Sequence, residues 1–223
     1  MNTLTEYFER SALLALEKQD RLALLLGDHI FDLDLDAGKV RFNDAVEIPF
    51  QVLGTESDNT MVWLWAWADE QTEVPENLLQ ASRELRDWGT RSGVKEFMLP
   101  SIDLGRVDGH VLSMIASELC KASCYYRDVY EGGSAFILLF DKRMDAQPSF
   151  DLPRLSHRYL DLISRYDLDH RNVLLSYLRK KDLSPAETGS LITCELGSGE
   201  QLRCEFDGSG RLLMLNGEAV TPS

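Results

Sequence analysis

The chain has 223 residues, 44% of them hydrophobic and 27% charged, a composition that excludes a disordered or collagen-like protein. Acidic residues outnumber basic ones 37 to 23, and the formal charge of −14 opposes general affinity for nucleic-acid phosphates. No apolar run approaches the ~20 residues of a membrane span, and no basic stretch leads into a signal-peptide core, so the expectation is a cytoplasmic protein without a membrane partner.

Residues 3–26 read as an amphipathic helix, with Thr3 and Glu6 in capping-box spacing, Leu4, Phe8, Ala15 and Leu22 on its apolar side, and Gly27 as the stop. The period then changes. Apolar and acidic residues alternate strictly over 29–36, as in a strand with one wet face, which would line up Asp32, Asp34 and Asp36. A turn at 36–39 leads to a second strand at 40–42, and 45–53 is a third, where Pro49 implies an edge or a bulge. The fourth, 60–68, carries Trp63, Trp65 and Trp67 at alternate positions, so all three indoles would share one face.

Pro75 opens a helix with Leu78, Ala81, Leu85 and Trp88 along its seam and Gly89 or Gly93 at its end, and a second helix covers about 107–122. Two strands, 124–130 and 134–140, flank the hairpin signal Glu131-Gly132-Gly133. The polar stretch 145–149, with Pro148, marks a boundary between a domain at 1–147 and a module at 148–223. In that module two helices meet at Asp167-Leu168-Asp169, and three short strands alternate cleanly through Ile192, Cys194 and Leu196, then Leu202, Cys204 and Phe206, and end near Leu215. The expected fold class is α+β: a twisted antiparallel sheet packed with helices, plus a C-terminal helical hairpin and a three-stranded β-meander.

Three features carry chemistry. The tryptophans Trp63, Trp65 and Trp67 would either fill a core or line a ligand pocket. Acidic charge concentrates between residues 28 and 76, where twelve acidic residues meet only Lys39 and Arg41, a local charge of −10, whereas the stretch from 148 onward carries −2. Asp32, Asp34, Asp36, Asp44 and Glu47 would form an acidic sheet face able to steer a basic protein partner. A calcium loop fits poorly, because Gly38 comes one residue late and Asn43 stands where a glutamate is needed. The four cysteines, Cys120, Cys124, Cys194 and Cys204, lack zinc-ligand spacing and read as reduced core thiols. His29, His110, His157 and His170 show no metal spacing, and Asp167-Leu-Asp-His170 suits a helix cap better than an acid–base pair. No nucleophile elbow, phosphate-binding loop or dinucleotide fingerprint is present, so no catalytic residue, metal or cofactor is assigned.

The first ~145 residues resemble a bacterial family of domains of unknown function. The resemblance rests on Gln19-Asp-Arg-Leu22, Phe31-Asp-Leu-Asp with Gly38 and Phe42, Gly54-Thr55 before Trp63-Leu-Trp-Ala-Trp67, then Trp88-Gly89 and Tyr125-Tyr126. It implies a small α+β domain and no activity. With the charge layout, the leading expectation is a non-catalytic interaction protein that neutralises a basic partner, in the manner of immunity or antitoxin proteins. The alternatives are a small-molecule binder or enzyme using the tryptophans, and a scaffold that oligomerises through its C-terminal module.

Overall fold

A computed structural model of the chain describes residues 3–71, 73–145, 151–196 and 199–219. They form two compact units, one holding residues 3–4, 18–71 and 73–145, and the other residues 5–17 together with 151–196 and 199–219. The fold is α+β, as the alternating periods of the sequence imply. The first helix, α1 (Leu4–Leu26), contributes its N-terminal half to the second unit and its C-terminal half to the first.

In the first unit seven antiparallel strands form one branched sheet: β1 (Phe31–Asp34), β2 (Lys39–Phe42), β3 (Val46–Ser57), β4 (Val62–Trp65), β5 (Ser101–Asp103), β6 (Cys124–Tyr130) and β7 (Gly133–Leu139). The long strand β3 is its axis. Residues 46–49 pair with β2 and residues 54–57 with β4, while 50–57 pair with β7, which carries β6 outside it. Pro49 therefore lies inside a central strand and not at an edge. It stands one residue before the β3–β7 ladder, which begins at Phe50 and Leu139; its carbonyl accepts from the Phe140 N–H at 3.1 Å, so its missing donor costs a terminal bond only. The bulge falls between Val52 and Gly54 instead.

Helices dock on this axis. Where neither β2 nor β4 covers β3, Gln51 donates to the Asn77 carbonyl at 2.9 Å and accepts from the Ala81 N–H at 3.1 Å, capping α2 (Gln80–Ser92). Gly93, left-handed at φ 78, ends that helix. Helix α3 (Gly109–Leu119) starts at Asp108, whose carboxylate accepts from the Val111 N–H, and it is buried over most of its length. Leu22 and Leu26 join Val40, Phe42, Ile48, Phe50, Ile137 and Leu139 in one apolar cluster. A single turn, α4 (Lys142–Asp145), follows β7; Asp145, the first residue of the expected boundary stretch 145–149, ends it, and residues 146–149 of that stretch lie outside the described residues.

In the second unit Asp151 caps α5 (Leu152–Arg165) and Asp169 caps α6 (His170–Lys180), each accepting a backbone N–H at 2.9 Å. The meander has four strands rather than three: β8 (Ala186–Thr188) precedes β9 (Leu191–Glu195), β10 (Glu200–Phe206) and β11 (Leu212–Ala219). All three residues of β8 are exposed, so no alternating apolar signal marked it. Ile192, Cys194, Leu196, Leu202, Cys204 and Phe206 are all buried, as their alternation requires.

Candidate functional site

The β1–β2–β3 sheet turns one face to solvent, with Asp32 and Asp34 exposed on β1, Lys39 and Arg41 on β2, and Glu47 on β3. Register puts Asp32 opposite Arg41 and Arg41 opposite Glu47, so charge alternates acid–base–acid across the strands. Both cations turn to β3. Lys39 Nζ lies 3.3 Å and Arg41 Nη2 3.0 Å from the Glu47 carboxylate, and these two partners, Lys39 first, hold the Glu47 carboxyl below the usual range. Among the described residues Asp32 and Asp34 have no ion pair, and Asp34 instead accepts the Ala37 N–H at 2.8 Å. Asp36 is not on the strand face. The strand ends at Asp34 because Gly38, at φ 65, closes the turn over 35–38, so Asp36 sits at the hairpin tip. Asp44 lies in the turn at the other end of β2, with φ 53. The five predicted acidic residues thus divide into an exposed pair on β1, one residue in each turn, and a neutralised Glu47. Among the described residues no group of three His, Cys, Asp or Glu side chains is placed to hold a metal ion.

The tryptophans do not share one face. Trp63 and Trp65 are 0% exposed and meet edge-to-face at 5.2 Å. The strand ends at Trp65, and Trp67 falls in a 3-10 turn over Ala66–Ala68, where the Arg86 guanidinium lies 5.2 Å from its ring centroid. Trp65 Nε1 donates to the Glu96 carbonyl at 2.9 Å, whereas the buried Trp63 and Trp67 N–H groups find no acceptor among the described residues. Two described cavities lie away from these rings: about 230 Å³ beside Glu84, Trp88 and Cys120, and about 380 Å³ beside Asp182, Thr193 and Gln201.

The cysteines are all free thiols; burial pushes Cys120, Cys124 and Cys204 up to about 12, and it raises Cys194 as well. The carboxylate of Asp169 caps α6 while Asp167 pairs with Arg211. The surroundings of His170 oppose its protonation. The Leu212 N–H donates to its Nδ1 at 3.0 Å and Arg211 Nη1 lies 3.1 Å from its Nε2, so protonation would oppose a donor at one nitrogen and a cation at the other. Burial foremost, then Arg211, lowers its pKa; His110, hydrogen-bonded to the Tyr125 hydroxyl at 2.8 Å, is lowered mainly by burial. A histidine with a lowered folded pKa binds protons more readily when unfolded. Stability is therefore expected to fall as pH drops from about 6.5 toward 5, and the loss is expected to shrink in His170→Gln and His110→Gln, as urea midpoints across that range would report.

One polar cluster escaped the sequence reading. Glu56 is buried on β3, its Oε1 accepts the Gly109 N–H at 2.6 Å at the start of α3, and its Oε2 lies 3.6 Å from Arg127 Nη2. Arg127 Nε donates to Ser134 Oγ at 3.0 Å. The sequence carries little signal for it, because Glu56 stands in the polar run Gly54-Thr55-Glu56-Ser57, which does not mark it as an inward position.

The fold is thus an α+β sheet protein whose first unit exposes, at one margin of its sheet, carboxylates that have no ion pair among the described residues. The chain belongs to a family of unknown function (DUF6882), whose model matches residues 5–142. No curated protein and no solved structure matches it. Among the described residues no helix is long and apolar enough to cross a membrane.

Proposed function

We propose that the protein is a non-catalytic interaction module that binds a basic protein through the acidic margin of its β1–β2–β3 sheet, neutralising it as immunity or antitoxin proteins do. One observation carries the reading: Asp32, Asp34, Asp36 and Asp44 stand exposed without cation partners among the described residues, while Glu47 occupies both nearby cations. Unsatisfied charge of one sign speeds encounter with a partner of the other sign and rejects like-charged proteins.

The test is capture of basic proteins from native-host extract at graded salt, comparing wild type with a variant in which Asp32, Asp34, Asp36 and Asp44 are all changed to Asn. A control with Asp58→Asn, Glu70→Gln, Glu73→Gln and Glu131→Gln removes equal charge elsewhere. The expected result is a basic partner held by wild type and control, and bound on the order of tenfold more weakly by the four-Asn variant. Equal loss in both variants, or no loss in either, refutes the assignment to this surface.

A further inference from the structure

We infer that the partner's basic segment binds as an extended strand added to the free edge of β1, an inference that rests on the acidic-surface reading and specifies its geometry. β1 is the end strand of its sheet. The Asn43 N–H donates to the Ile30 carbonyl at 3.0 Å, which makes Ile30, Asp32 and Asp34 the hydrogen-bonded positions toward β2. The N–H and C=O groups of Phe31 and Leu33 therefore point away from the sheet, and among the described residues they have no partner. Four backbone groups in a row are a template for one more strand.

The side chains define what that strand carries. Across β1, β2 and β3 the exposed charges run acid, base, acid, and the next position in the alternation belongs to a base. On the outer side Asp32 would occupy a non-hydrogen-bonded pair, the kind in which facing side chains come closest. Ile30, 74% exposed and on the same face as Asp32 and Asp34, provides an apolar contact at the start of the strand. The occupant is accordingly a segment of a different protein with Lys or Arg at alternate positions and an apolar residue beside them. A second copy of this chain does not fit, because antiparallel pairing of two β1 strands about a two-fold axis sets aspartates against aspartates.

The probe is the peptide Thr-Lys-Val-Lys-Val-Thr, with an analogue N-methylated at alternate backbone nitrogens and equal in charge. Binding is followed by NMR, together with amide exchange at Phe31 and Leu33. The expected result is slowed exchange at those two amides on peptide binding, and affinity weaker by on the order of tenfold for the N-methyl analogue and for Asp32→Asn/Asp34→Asn. Equal, salt-sensitive binding of both peptides without protection of the two amides overturns strand addition and leaves the acidic surface standing. Failure of the peptide to bind, while the four-Asn variant still loses the captured protein, also overturns strand addition alone. If that variant keeps its partner, the surface reading itself falls. A homodimer at neutral pH that protects Phe31 and Leu33 would replace the foreign strand with a second copy.

Discussion

Replacing Trp63 by alanine is expected to cost about 3–5 kcal/mol of stability, the range for truncating a large buried aromatic. The ring is enclosed on every contact the fold supplies: Trp65 and Phe136 each meet it edge-on at 5.2 Å, and two glycines press on its flanks. A Cβ at Gly54 would lie 2.6 Å from one atom of the indole, and a Cβ at Gly109 would lie 2.7 Å from another. The strand β3 and the first turn of α3 thus reach the ring only because neither position bears a side chain. The backbone cannot follow a smaller residue inward without breaking the β3–β4 and β3–β7 ladders, so alanine leaves a cavity rather than a collapsed core. Trp63→Phe is expected to cost much less than Trp63→Ala, because the indole N–H is buried without an acceptor and phenylalanine removes that burden. Trp65→Phe lacks this relief, since it strands the Glu96 carbonyl. Urea denaturation of the four proteins checks the ranking; a Trp63→Ala loss below about 1 kcal/mol would mean the ring is not enclosed as described.

These contrasts show where local pattern carried structural information. Period-two alternation placed β1, β2, β9 and β10, because in each a wet face opposes an apolar one. The same rule misplaced Asp36 and Trp67. Alternation continues through a residue whether or not the backbone does, and it was Gly38 and the 3-10 turn at Ala66 that ended those strands. The expected third strand stops four residues short of the C-terminal end of β3 because Gly54, Thr55 and Glu56 look like a loop; pairing with β4 and β7, the close approach of Trp63 and the capping of α3 by Glu56 make them strand residues. The candidate site was legible as composition, twelve acidic residues against two basic ones, but not as geometry. Which carboxylates stay unpaired depends on Lys39 and Arg41 both leaning toward Glu47, a cross-strand choice made by register, and register is not written in the residues of any one strand.

The second unit makes the same point with charge turned inward, and the largest single-residue effect outside the tryptophans is expected there. Glu17, on the half of α1 that belongs to this unit, is buried: Lys181 Nζ donates to its Oε1 at 3.0 Å and the Tyr177 hydroxyl donates to its Oε2. Eight residues earlier, Glu9 accepts the Asp169 N–H at 2.8 Å and the Asn172 side-chain amide at 2.6 Å, adding to the cap of α6. Glu9, Leu13 and Glu17 are four residues apart, so they line one side of α1, a stripe where two carboxylates interrupt apolar burial. Both partners of the Glu17–Lys181 pair are less than a tenth exposed, at 8% and 7% for their side chains. Removing Glu17 therefore leaves the buried Lys181 ammonium without the carboxylate that faces it. Glu17→Leu is expected to cost about 3–5 kcal/mol, while Glu17→Leu/Lys181→Met, which removes both charges and keeps volume, is expected to recover most of that loss. Urea titrations of wild type, both single variants and the double variant give the coupling directly. Additive losses in that cycle would show that Lys181 finds water when Glu17 is gone, and that the pair is a surface contact rather than a buried one.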